Sequence, residues 1–288
     1  MKKILVPTDL SEIAERGLRL AVEIAKRIDA QIYLMNFINH PFGRTFSAMG
    51  EVNSKVDVEE QRFNLELIRA NKEKLLLLGQ KYANGVTINT EIVDSNLKEG
   101  VDAYLKMHSI DLVVMGTSGE ENLKEQFTGN HTEQVISMVS CPVISIRDNF
   151  DITRFNNMVL AVDIMLHSKI EPGIEVIKEF AESFDSTIHL VHVSDTTVRM
   201  EKNLEKYFTE IAAMHKLKKY KVVILTGDNE AEKVNEYART INAGMLAVLK
   251  NNNDRIWKIF TDHFSDQVVK EVGQPVLTYN LQAANKED

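Results

Sequence analysis

The sequence predicts an α/β protein made of two tandem domains, each a five-stranded parallel sheet with helices on both faces. Three observations predict it. Short apolar runs alternate with stretches of helical periodicity along the chain. The runs are apolar throughout, as strands covered on both faces are, rather than alternating apolar with polar. The whole pattern then starts again after residue 155.

In the first half, Ile4-Leu5-Val6 reads as a buried strand stopped by Pro7, with Asp9 just beyond. Ser11 opens a helix to about Ile28, whose apolar positions Ile13, Leu20, Ile24 and Ile28 fall near helical spacing. Ile32–Ile38 is the second strand, and residues 39–57 read as a Gly- and polar-rich loop. A long helix is expected from Val58 to Tyr82, with Phe63, Leu67, Leu75, Leu78 and Tyr82 on one side, stopped by Asn84-Gly85. Val86–Val93 is the third strand and Leu97 to about His108 a helix. Asp111–Met115 is the fourth strand, Thr132 to Val139 a helix, and Pro142–Ile146 the fifth strand.

Residues 147–155 form a polar link. Met158–Asp163 then parallels Ile4–Asp9 at a shift of 154, and Ile188–Val193 parallels Ile32–Phe37. Tyr220–Leu225, a helix over Glu230–Ile241, and Met245–Leu249 continue the series. At a constant shift of 133, Phe127, Thr128, Gln134, Val135, Val139, Pro142 and Val143 recur at Phe260, Thr261, Gln267, Val268, Val272, Pro275 and Val276. So many ungapped identities mark a tandem duplication. The expected domains are 1–147 and 156–281.

A net charge of -8 and a pI near 5.6 argue against nucleic acid or an anionic membrane as the main partner. The one cysteine, Cys141, excludes an intrachain disulfide and is expected as a buried thiol. The N-terminal apolar run is too short for a signal peptide. No apolar segment approaches the roughly 18 residues that span a bilayer, so the expected compartment is the cytoplasm. His189 and His192, three apart in a strand, point to opposite faces and read as core or surface histidines, not shared metal ligands. No zinc spacing, nucleophile elbow or Walker pattern occurs.

The stretch that carries chemistry is Met115-Gly116-Thr117-Ser118-Gly119, followed nine residues later by Gly129-Asn130-His131-Thr132-Glu133. Glycines let main chain approach a ligand closely because no Cβ intrudes. The third glycine is expected just before a helix start, with Asn130 or Thr132 as N-cap. Unpaired N–H groups and the positive dipole end there make an anion cradle, most often for phosphate. The alternative is a capped strand-to-helix turn, with Asn130 and Glu133 as a capping box. Asp9 ends the first strand, where open α/β sheets bind ligands. It can accept hydrogen bonds from a ribose or an adenine amino group, or cap the following helix with Glu12 as partner. In the second half Gly116, Gly119 and Gly129 become Leu249, Asn252 and Asp262. Bulk blocks backbone approach there and an aspartate repels phosphate, so that copy is expected to have lost the ligand.

Taken together, Val6-Pro7-Thr8-Asp9, the G-x2-G-x9-G spacing of Gly116, Gly119 and Gly129, and Thr132-Glu133 resemble the universal stress protein family over nearly the whole chain. The resemblance implies Rossmann-like domains of the adenine nucleotide alpha hydrolase type, with strand order 3-2-1-4-5. It implies ATP or another adenine nucleotide, alone or with Mg²⁺, in the N-terminal domain, and at most slow hydrolysis. Pro7, Thr8, Asp9 and the main chain near Phe37 would hold adenosine; Met115, Gly116, Gly119, Gly129, Asn130, His131 and Thr132 would line the phosphates. Asn130 stands where the family has Ser or Thr, and Glu120 and Glu121 bring negative charge nearby. It also implies a stress-response regulator with protein partners, or an interaction scaffold without nucleotide. The last strands, Val143–Ile146 and Val276–Tyr279, are expected to pair antiparallel as an intrachain pseudo-dimer, compatible with a further homodimer.

Overall fold

The computed structural model describes residues 1–38, 58–117, 128–162, 170–194, 198–227, 229–250 and 274–284. The chain divides into two compact units, Met1–Met115 and Gly116–Asp288.

The first unit holds β1 (Lys3–Pro7), α1 (Glu12–Ile28), β2 (Gln31–Ile38), α2 (Val58–Tyr82), β3 (Ile88–Asp94), α3 (Leu97–His108) and β4 (Leu112–Gly116), whose last residue opens the second unit. Its strands lie in the order β3-β2-β1-β4, all parallel. The cores of β1 and β4 are apolar, as strands covered on both faces are: Ile4, Leu5, Leu112, Val113 and Val114 are fully buried. β3 mixes half-buried with exposed residues and, among the described residues, pairs with β2 alone. α1 starts where Ser11 Oγ accepts the Ala14 N–H at 3.2 Å, with Glu12 and Glu15 complementing the dipole in its first turn. It ends at Asp29 in the left-handed region (φ 54°).

α2 has the expected limits, but its buried face differs. Leu75 and Leu78 are buried, whereas Leu67 is 40% exposed. Burial follows Ile68, Asn71, Leu75, Leu78 and Tyr82, the i, i+3, i+4 row. Leu67 lies one residue, about 100°, off that row. The side chain of Phe63 and the expected loop at 39–57 lie outside the described residues.

The second unit holds α4 (Thr128–Met138), β5 (Val143–Ile146), a 3₁₀ turn (Ile152–Arg154), β6 (Asn157–Ala161), α5 (Glu171–Ser183), β7 (Thr187–Ser194), α6 (Val198–Met214), β8 (Tyr220–Thr226), α7 (Glu230–Thr240), β9 (Met245–Lys250), β10 (Val276–Asn280) and a short α8 (Leu281–Ala284). Strands β8-β7-β6-β9-β10 run in parallel, the order 3-2-1-4-5 of the second repeat in full. β10 then pairs antiparallel with β5, Leu277 opposite Ile144 and Thr278 opposite Val143. The expected pairing of the two repeats' last strands is therefore present.

Cys141 is half-buried rather than buried. It sits in the turn before Pro142, outside the four fully covered residues of β5. Among the described residues no helix is long and apolar enough to cross a membrane.

Candidate functional site

In the first unit the site is built at the carboxyl end of β1. β1 lies between β2 and β4, so the chain leaves the sheet on opposite sides of it; this is the switch point where open α/β sheets bind ligands. The strand stops because Pro7 is followed by three residues that satisfy themselves locally. The Thr8 N–H still donates to the Met35 carbonyl at 2.8 Å. Thr8 Oγ1 accepts the Leu10 N–H at 3.0 Å, and Asp9 Oδ1 accepts the Ser11 N–H at 3.0 Å. Leu10 is thereby held at φ 66°, a conformation costing a non-glycine residue roughly 1–2 kcal/mol.

This geometry gives Asp9 a structural role other than the expected helix cap. Ser11, not Asp9, caps α1, and Asp9 closes an Asx turn one step before it. The carboxylate is exposed and one of its oxygens is engaged. A carboxylate has about four lone-pair sites over its two oxygens, so structural and ligand roles are compatible.

Continuing the β1–β4 register of Ile4 opposite Leu112 brings Pro7 level with Met115. Pro7 and Met115 are both buried. Phe37, near the end of β2, packs its ring on Gly100 in the first turn of α3; a Cβ at Gly100 would lie 2.4 Å from Phe37 Cδ1.

A residue the sequence reading missed holds this end together. Asn36 is 4% exposed in a strand otherwise apolar from Ile32 to Ile38 except for Tyr33. Its Nδ2 donates to the Thr8 carbonyl at 2.7 Å, and its Oδ1 accepts from Asn71 Nδ2 of α2 at 3.5 Å. One amide in an apolar strand was the available signal.

In the second unit Gly116 leads to Thr117, which is buried and whose N–H donates to the Ile146 carbonyl at 2.8 Å. Gly119 lies outside the described residues. α4 begins at Thr128, four residues earlier than expected. Gly129 and Asn130 therefore sit inside the first turn, and neither Asn130 nor Thr132 is the N-cap. An early glycine costs a helix about 1 kcal/mol relative to alanine. Burial of Val135, Ile136 and Val139 outweighs that. Among the described residues, the N–H groups at the helix start without intrahelical partners belong to Thr128, Gly129 and Asn130, so two of the expected anion contacts, Gly129 and Asn130, remain there.

Thr132 is 6% exposed and its Oγ1 is buried without a hydrogen-bond partner. A threonine in a helix usually satisfies its hydroxyl on the carbonyl four residues back. The missing bond leaves a polar group two residues beyond those free N–H groups, and an unsatisfied buried hydroxyl costs roughly 1–3 kcal/mol. At the other end of α4, Asn280 Nδ2 donates to the Ile136 and Ser137 carbonyls, each at 3.0 Å.

The second repeat shows what closes its copy. Leu249, in the place of Gly116, is 3% exposed and packs on α5, where a Cβ at Gly173 would lie 2.4 Å from Leu249 Cδ2. Asp163, Asn252 and Asp262 lie outside the described residues. His189 and His192 are core histidines with partners. His189 Nε2 meets Asn157 Oδ1 at 3.2 Å and its Nδ1 meets Tyr237 Oη at 2.7 Å, while His192 Nδ1 donates to the Val162 carbonyl at 2.9 Å.

A family model described as the universal stress protein family matches residues 1–147. A universal stress protein of Methanocaldococcus jannaschii is 29% identical over 148 residues, covering 51% of this chain and 82% of that protein. Among solved structures, a universal stress protein from Archaeoglobus fulgidus superposes with a TM-score of 0.65 at 17% identity, covering 97% of this chain and 98% of the other. The cytoplasmic domain of a prokaryotic cation chloride cotransporter superposes at 0.54 with 11% identity, covering 99% of each chain. At such identities these two superpositions establish the shared fold alone.

Proposed function

Because the chain belongs to the universal stress protein family, we propose that its N-terminal domain, residues 1–147, binds ATP or another adenine nucleotide, and that residues 156–281 form a second domain that does not. The observation that carries this reading is the orphaned Thr132 hydroxyl beside the free N–H groups of α4. Helix N-termini of this kind suit phosphate, and a phosphate oxygen supplies the acceptor that Thr132 Oγ1 lacks. Asp9 and the main chain near Phe37 would take the nucleoside; Gly116, Gly119, Gly129, Asn130 and His131 would take the phosphates. When bound with Mg²⁺, the metal would offset triphosphate charge near Glu120 and Glu121.

The role of such a site is regulatory: occupancy changes which partners the protein engages, with hydrolysis slow or absent. We place the protein in the cytoplasm, with the two repeats acting as an internal dimer that can pair again. The burial of Leu249 on Gly173 favours one alternative for the second domain, a scaffold role independent of nucleotide.

Calorimetry tests the proposal. Wild type titrated with ATP and Mg²⁺ gives saturable heat with a Kd of about 100 micromolar or tighter. Gly129→Asp, which copies the second repeat, abolishes it. Absence of heat from the wild type rejects nucleotide binding.

A further inference from the structure

We propose that the second unit carries an additional binding site, for a small oxyanion, at the start of the second repeat. The site is a recess of about 260 Å³ lined by Asn149, Phe150, Arg154, Arg239, Asn242 and Gln274, with Ala238 and Ala243 at its floor. It lies at the amino ends of β6 and β9, which begin at Asn157 and Met245, whereas open α/β sheets bind ligands at the carboxyl ends of their strands.

Its chemistry is one-sided. Two guanidinium groups and three primary amides line it, and among the described residues no carboxylate does, in a chain of net charge -8. The nearby Asp151 carboxylate is turned onto its own turn, where Oδ1 accepts the Thr153 N–H at 2.9 Å. Guanidinium forks match carboxylate and phosphate oxygens in pairs.

The recess is also built rather than incidental. Arg154 lies over the Phe150 ring at 5.0 Å, and its Nη2 donates to Asn242 Oδ1 at 2.8 Å. Phe150 stacks in turn on the buried Phe155 at 5.4 Å. Asn242 is fixed in the left-handed region at φ 49°. A Cβ at Gly244 would meet the Arg154 carbonyl oxygen at 2.0 Å, so the turn carrying Arg154 is pressed against the start of β9. Side chains held in place before binding lose little entropy on binding. Finally, Gln274 Nε2 is buried without a partner. An amide nitrogen only donates, so the missing partner is an acceptor, which an oxyanion provides. The volume sits near the lower end of small-molecule pockets, about 300 Å³, which fits a compact phosphate ester or polycarboxylate.

The test is calorimetry of the full chain at low ionic strength with two probes, inorganic phosphate and citrate. The wild type binds at least one of them at a single site, and the tighter probe identifies the anion class. Arg239→Gln and Arg154→Lys each weaken that binding about tenfold or more. Gln274→Leu weakens it too, while its melting temperature does not fall, because the unpaired donor has been removed. Gly129→Asp leaves it unchanged, which separates this site from the proposed nucleotide site whether or not ATP binds. Wild-type affinity in both arginine variants overturns the proposal. So does loss of binding in Gly129→Asp, or no heat with either probe at 10 mM, a concentration far above about millimolar affinity.

Discussion

Asn36 and His192 make the same contact in the two repeats. Each stands near the end of the second strand and donates to the carbonyl that follows the first strand, Asn36 to Thr8 at 2.7 Å and His192 to Val162 at 2.9 Å. Backbone contacts repeat alongside, the Thr8 N–H to Met35 and the Val162 N–H to Val191. A carbonyl only accepts, so the His192 Nδ1 carries its hydrogen. The duplication thus kept a side-chain lock on the turn after β1 and β6 while changing the residue that forms it.

Asn36→Leu leaves the buried Thr8 carbonyl without its partner and costs about 1–3 kcal/mol. Denaturant unfolding measures the loss. Because this lock holds the turn that carries Asp9, the same variant also weakens ATP binding wherever the wild type shows it.

His189 predicts a pH dependence. Burial lowers its pKa from the ordinary value, and the Lys221 charge lowers it further. The native state therefore favours neutral imidazole, while the unfolded chain takes up a proton near pH 6.5. Between the two pKa values the unfolded state binds more protons, so stability rises with pH. Its contribution is full above about pH 6.5 and is lost as the pH falls below that. Melting temperatures from pH 7.5 to 5.5 drop more for wild type than for His189→Asn.

Leu249→Ala removes a buried side chain packed on Gly173. The expected cost is roughly 2–5 kcal/mol, read by thermal unfolding. Nucleotide binding does not appear in the second repeat, since an emptied apolar space lacks phosphate donors.

Asn280→Ala strips two carbonyls at the end of α4 of their donor and removes the oxygen that accepts the Gln282 and Ala283 N–H groups. A loss of about 1–3 kcal/mol is expected, with hydrogen exchange in α4 faster than elsewhere in the second unit.

Much of the fold was legible in the chain. Runs such as Ile4–Val6 and Val113–Met115 announce covered parallel strands, and Ser11 announces the start of α1. The restart at Met158 announced the second set of parallel strands. Only part of what escaped notice depends on tertiary contact. α5, with Ile174, Ile177 and Phe180 buried at helical spacing, carried a readable signal, whereas the start of α4 did not. Thr128, Asn130 and Thr132 are all acceptable near a helix start, and only packing chooses among them. At the site, glycine spacing and Asp9 stand out in sequence. Asn36 shows only as one amide in an apolar strand, its partner 28 residues away, and Asn280 and the Arg154 recess show nothing, because their partners are 144 and 88 residues away.

The central claim, that the first repeat binds a nucleotide while its twin, with Leu249 in the place of Gly116, does not, is tested most directly by counting nucleotides per chain. Native mass spectrometry of the full chain with saturating ATP and Mg²⁺ should show a single nucleotide on the wild type and none on Gly129→Asp. A wild type that carries two, or one that carries none, contradicts the account.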